Sequence, residues 1–220
     1  IGQPVDRLEW GMTPPTVNAY YDPQMNNINF PAGILQPPFY NLKADDAVNF
    51  GAIGAVIGHE LTHGFDDQGR QFDPKGNLND WWTPKDAEAF EGRADCLVKE
   101  YSSFNAVEDV KLNGKLTLGE NTADNGGLRI AYMALTNRLA GRQPGKIDGF
   151  TPSQRFFLGW GQVWCDNYTP EIMRLQAQTN PHSLAEYRVN GVVSNMPEFQ
   201  KAFGCGAGQP MVRDNACRVW

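Results

Sequence analysis

The sequence predicts a mainly α domain with a small β portion near its start, an α+β arrangement. Three observations carry this. The stretch DDAVNFGAIGAVIGHELTHGF, residues 45–65, opens with acidic residues and has a long apolar body, the pattern of a mostly buried helix. Thr-Pro pairs at Thr83-Pro84 and Thr151-Pro152 each precede a helical pattern, with Thr as cap and Pro in the first turn. The first forty residues are different, rich in Pro, Asn and Tyr with short strand-like runs.

Taken in order, VNAYY (17–21) and NNINFPAGIL (26–35) read as two short strands around a turn at residues 22–27. The helix from about residue 44 carries Gly51, Gly54 and Gly58. Each costs about 1 kcal/mol against Ala, which makes sense where neighbouring backbones approach closely. FDPKGNLNDWW (72–82) is a turn-rich loop. It is not a calcium loop, because Lys75 and Pro84 stand where acidic ligands belong. A helix from Thr83-Pro84, with Asp86 at the capping-box position, extends to about Phe104. VKLNGKLTL (110–118) is expected to form a hairpin on Asn113-Gly114. Long helices are expected over 119–141 and 151–168, and short ones over 170–178, 183–189 and 197–203.

The chain has 220 residues, 41% hydrophobic and 20% charged, a composition that suits one large or two small globular domains. Its net charge of −6 argues against a nucleic-acid partner. No apolar run approaches the roughly 20 residues of a membrane helix. The start at Ile1, in a turn-rich stretch without Met, resembles the middle of a longer protein. Cys96, Cys165, Cys205 and Cys217 are widely spread with no C-x-x-C, so a thiolate zinc site is not expected. Free thiols and disulfides both remain open on these residues alone.

Within AVIGHELTHGFDDQGR, His59 and His63 stand four residues apart. On a helix they share one face, one turn apart, and both imidazoles can reach one zinc ion. Glu60 is rotated about 100° from His59. It is poorly placed as a ligand and well placed to take a proton from water. This is the H-E-x-x-H zinc peptidase pattern. The alternative is a chance match in a buried helix, but two of the chain's three histidines are here. A third ligand is needed. Gly69 closes the route through a third histidine on the same segment. Glu88 and Glu91 are nearer in sequence, while GENTADNGG sets Glu120 and Asp124 at i,i+4 on a second helix. Glu120 could then bind zinc and Asp124 could orient a ligand histidine. Spacing alone leaves these choices open.

VIGHELTHGFDDQGR, GENTADNGG, VNAYY, FPAGILQPPF and the terminal CRVW together resemble the neprilysin family of zinc endopeptidases, from about Pro4 to Trp220. The resemblance implies a zincin-like, thermolysin-like domain over residues 1–220, the C-terminal catalytic portion of a longer chain, from a bacterial or other secreted member. It implies one zinc per chain held by His59, His63 and Glu120, with Glu60 as general base. Asp124 stands behind His59 and Asp66 behind the other histidine. It makes His182 a donor to the developing oxyanion and Arg188 a holder of a substrate carbonyl. Asn18 and Ala19 match a strand that pairs with substrate backbone. Ile34, Phe39, Val56, Val163 and Trp164 match the pocket for the side chain after the scissile bond, with Ala55 a smaller residue at another pocket position. It pairs Cys96 with Cys217, and gives Cys165 and Cys205 partners in an N-terminal segment absent here. The catalytic domain is then extracellular, periplasmic or membrane-anchored outside the cytoplasm. The implied function is hydrolysis of oligopeptides on the amino side of large hydrophobic residues. An inactive peptide-binding relative and a zinc amidase on non-peptide substrates are the alternatives. Asn167 lies in a glycosylation sequon that Pro170 weakens.

Overall fold

A computed structural model describes residues 4–142 and 144–220. Strands β1 (Tyr20–Asp22) and β2 (Asn27–Asn29) pair antiparallel, Tyr20 opposite Asn29. Helix α1 (Asp46–Asn49) runs through a π-helical segment, Phe50–Gly54, into α2 (Ala55–His63) with right-handed helical dihedrals at both junctions. The side chain of Asp45 caps this helix by accepting from the Ala47 amide. It also holds Arg155 through two bonds of 3.1 Å. Helix α3 (Pro84–Ser103) starts on the Thr83 cap. Strands β3 (Asn105–Val107) and β4 (Val110–Lys111) follow, and then α4 (Leu118–Leu139) and α5 (Pro152–Val163). Helices α6 (Pro170–Thr179), α7 (Ala185–Ser194) and α8 (Pro197–Phe203) complete the chain. No described helix is long and apolar enough to cross a membrane.

Two expectations are corrected. The second hairpin turns at Glu108-Asp109, not at Asn113-Gly114. Glu108 takes the left-handed conformation there. The Asn113 side chain is instead used locally, accepting the amides of Lys115 and Leu116 to lead the chain into α4. The helix from Pro152 also stops at Val163, so residues 165–168 are not helical.

The helices pack unusually close where glycine permits it. A Cβ on Gly58 would lie 2.4 Å from the Gly127 carbonyl oxygen, and one on Gly127 would lie 2.3 Å from the His59 nitrogen. Helices α2 and α4 therefore touch backbone to backbone beside the first histidine. Gly51 meets α5 in the same way, 1.9 Å from the Phe156 oxygen, whereas Gly54 has only ordinary contacts. Around this seam Ala55, Leu128, Leu135, Phe156, Trp160 and Val192 form the main core. A second core joins α3 to the C-terminal segment through Phe90, Leu97, Tyr101 and Val219. A disulfide between Cys96 and Cys217, 121 residues apart, lies in it. Chain entropy alone gives such a loop about 4–5 kcal/mol.

Gly127→Ala is expected to destabilise the protein by about 1–3 kcal/mol through overpacking that no rotamer can relieve. Gly161→Ala is its control: no atom lies within 4 Å of a Cβ there, and a helical glycine is replaced by a better helix former. Denaturant midpoints that fall equally for both would contradict the close approach.

Candidate metal centre

The site is built where α2, α4 and the segment leading into α7 converge. His59 and His63 project from one face of α2. Each uses its Nδ1 against a buried carboxylate: His59 with Asp124 Oδ1 at 2.7 Å, His63 with Asp66 Oδ2 at 2.6 Å. Asp66 is held in turn by the amides of Gln68 and Gly69. A carboxylate accepts, so both imidazoles donate from Nδ1 and turn Nε2 inward. The two Nε2 atoms lie 2.9 Å apart. Lone pairs facing each other at that distance repel, and the arrangement requires a cation, either a proton or a metal.

Glu120 could supply the third donor. Its Oε2 is 3.3 Å from His59 Nε2 and its Oε1 is 3.7 Å from His63 Nε2. That Oε2 is buried without a hydrogen-bond partner among the described residues. Tetrahedral zinc, with bonds of about 2.0–2.2 Å, sets its ligand atoms roughly 3.3–3.5 Å apart. The separations bracket this span, and the donor set of two imidazoles and a carboxylate suits that ion. Glu60 is buried, with a carboxylate oxygen within 4.8 Å of the histidine nitrogens. Glu88 and Glu91 are exposed, and Glu91 pairs with Arg70.

Arg188 is buried and clamps Asp124, Nε on Oδ2 and Nη2 on Oδ1, both at 2.7 Å. Its guanidinium stacks 3.8 Å from the Trp164 ring centre. Among the described residues its Nη1 has no hydrogen-bond partner, and the side chain borders the cleft. His182 reaches in from the α6–α7 loop, its Nε2 3.3 Å from Glu120 Oε2. Asn180 Oδ1 accepts the His182 backbone N–H and lies 2.9 Å from its Nδ1. Nδ1 therefore carries a proton, and Nε2 donates when the ring is an imidazolium.

Charge explains the protonation pattern. Burial pushes the His59 imidazolium down, but the charge and hydrogen bond of Asp124 and the close Glu120 carboxylate outweigh it, raising His59 to about 9 in the absence of metal. Burial likewise pushes Glu120 up, yet the close His59 ring and the charges of the histidines hold it at about 2. Burial raises the Glu60 carboxyl, with His59 and His63 opposing. Asp124, despite burial, is held well below the carboxylate range, by Arg188 first and then His59.

A cleft of about 530 Å³ opens over these groups. Ala19, Ile34, Phe39, Val56, Trp160 and Trp164 form its apolar wall, and Asn18 stands at its edge. Asn18 and Ala19 lie just before β1 and pair with no strand among the described residues. Two expected pocket residues are elsewhere. Val163 packs against the main core and Ala55 is fully buried within it, because the helix turns those positions away from the cleft. Trp160 was not anticipated from the sequence. Its i,i+4 spacing from Trp164, which caps the end of α5, was the available signal, and its indole N–H holds the Arg188 carbonyl at 3.1 Å.

Residues 18–219 match peptidase family M13. The chain belongs to that family. It is 48% identical, over its whole length, to an endothelin-converting enzyme homolog of Locusta migratoria, of which it covers 30%. It is 50% identical, over 98% of its length, to endothelin-converting enzyme 1 of Mus musculus, of which it covers 28%. The crystal structure of the Mycobacterium tuberculosis zinc metalloprotease ZMP1 with an inhibitor superposes with a TM-score of 0.93 at 47% identity, covering 100% of this chain and 34% of that one. The fold of this chain is thus a mainly α, zincin-like domain, and the chain spans under a third of its curated relatives' length. The family implies zinc, and the converging donors fit it.

A raised histidine pKa ties stability to pH. His59 at about 9, against an ordinary 6.5, contributes stability to the metal-free fold that is complete below about 6.5 and lost as pH rises through about 9. The melting temperature of chelator-treated protein is expected to fall across that window, and zinc to raise it most at the alkaline end, where protons do not compete. A metal-free melting temperature that climbs from pH 6.5 to 9 would contradict this.

Proposed function

We propose that residues 1–220 form the zinc-dependent catalytic domain of a longer endopeptidase, one that cuts oligopeptides on the amino side of large hydrophobic residues. The observation that carries the reading is the pair of inward Nε2 atoms 2.9 Å apart, with a Glu120 oxygen beside them that has no hydrogen-bond partner among the described residues. His59, His63 and Glu120 would hold the zinc, which supplies Lewis-acid chemistry toward carbonyl and water.

The chain's own residues do the rest. Glu60 takes a proton from the attacking water on its carboxylate and hands it to the leaving amine. Burial raises its carboxyl toward the range a general base needs. His182, whose imidazolium burial disfavours and the Glu120 carboxylate favours, donates from Nε2 in its protonated form to the oxygen that gains negative charge. Arg188 keeps Asp124 and His59 in place and offers Nη1 to a substrate carbonyl. Asn18 and Ala19 pair with an extended peptide backbone, which gives affinity with little sequence preference. The wall of Ile34, Phe39, Val56 and Trp164 receives the apolar side chain that follows the scissile bond. The Cys96–Cys217 bridge supports an oxidising compartment outside the cytoplasm. The outward face of α2 exposes Ile57 and Leu61 at 40% and 46%, and Phe65 in the turn just after it is 47% exposed. The rest of the parent chain covers this stripe in the proposed whole protein, and its cysteines pair Cys165 and Cys205.

Glu60→Gln in the full-length protein should keep one zinc per chain and lose about 10²–10⁴ in turnover. Glu120→Gln should weaken zinc retention. Loss of zinc in Glu60→Gln, with retention at wild-type affinity in Glu120→Gln, would reverse the two assignments. Fluorogenic peptides carrying Phe or Leu after the cleavage point should be cut faster than those carrying Asp.

A further inference from the structure

His182 raises a positional problem. Its side chain is 44% exposed, so packing does not fix it, and among the described residues its ring is held through Asn180 and the Glu120 contact. Its neighbour Ser183 is buried, and the Ser183 hydroxyl donates to Asn121 Oδ1 at 2.7 Å. Asn121 directly follows Glu120 on α4 and is 1% exposed. Its other side-chain atom, Nδ2, donates to Thr117 Oγ1 at 2.8 Å, and that hydroxyl donates to the Asn113 carbonyl at 3.1 Å.

The polarity of this run is determined at its end. A carbonyl only accepts, so the Thr117 proton is spent on Asn113, and its oxygen must accept from the Asn121 amide. Asn121 then presents oxygen, not nitrogen, to Ser183, which must donate. Thr117, Asn121 and Ser183 are all buried, where an unmade bond costs about 1–3 kcal/mol. The loop has one satisfied position, and it sits between His182 and, five residues on, Arg188.

We infer that Asn121 and Ser183 are positioning residues: their buried hydrogen bond ties the loop carrying His182 to the helix carrying Glu120. Neither touches the cleft. They act by keeping the oxyanion donor at one distance from the metal ligand, so the inference rests on the proposed peptidase reading. Misplacing a catalytic group by about 1 Å can cost 10²-fold in rate. Loss of one tether that leaves Asn180 in place should cost less.

The test uses the full-length protein with its zinc. Ser183→Ala should retain zinc and a KM within about twofold of wild type while kcat falls about tenfold. Ser183→Thr, which keeps the hydroxyl, should restore most of it. Asn121→Leu, of similar volume, should repeat the Ser183→Ala effect. In a His182→Ala background Ser183→Ala should cause no further loss, because the group it positions is gone. A Ser183→Ala enzyme with wild-type kcat, or one whose loss multiplies with that of His182→Ala, would overturn the inference and leave the peptidase reading intact. A wild-type protein that binds zinc and cuts no peptide would sink the peptidase reading and the inference with it.

Discussion

The molecule depends on the backbone contact between α2 and α4 at Gly58 and Gly127. A side chain at either position would overlap the opposite main chain. Helices carrying ordinary side chains at their contact sit 8–10 Å apart. That spacing would draw Glu120 away from the histidines. The two glycines forgo helix propensity, and the geometry gained is a carboxylate from one helix 3.3 and 3.7 Å from two imidazoles of the other. The π-helical segment Phe50–Gly54 belongs to the same seam, because it lets Gly51 lie on the backbone of α5 while α2 continues beyond it.

Electrostatics then decides what the converged groups can hold. Glu60, Asp66, Glu120 and Asp124 place four carboxylates around two imidazoles, with one guanidinium, Arg188, buried among them. Burying that much negative charge is costly unless it is balanced. Without metal, His59 keeps a proton to about 9. A divalent cation held by these residues would take the place of that proton and neutralise more of the site. The Arg188 clamp is part of this balance. Its two bonds to Asp124 fix the carboxylate that holds His59, so one arginine supports the proposed ligand set while bordering the cleft.

Much of this was legible in the sequence, and the exceptions have physical causes. His59 and His63 were readable because a helix puts i and i+4 on one face, and the capped starts at Thr83 and Thr151 because Thr and Pro act locally. The position of Glu120, rather than Glu88 or Glu91, beside the histidines was not, since it depends on which helix packs against α2. The resemblance to a known family, not spacing, pointed to it. The expected hairpin at Asn113-Gly114 failed because Asn also caps turns: its side chain took the Lys115 and Leu116 amides, and the strands turned at Glu108 instead. Val163 and Ala55 were misplaced because the direction a helical residue faces follows from rotation about the helix, and a pocket motif does not specify it. The Asn121–Ser183 bond spans 62 residues, a separation at which no local pattern operates.

The most direct measurement is zinc K-edge X-ray absorption on the full-length protein loaded with one zinc. The arrangement described here predicts two imidazole nitrogens and a carboxylate oxygen at about 2.0–2.2 Å, with no sulfur shell near 2.3 Å. A sulfur ligand, or a spectrum with a single imidazole, would contradict it.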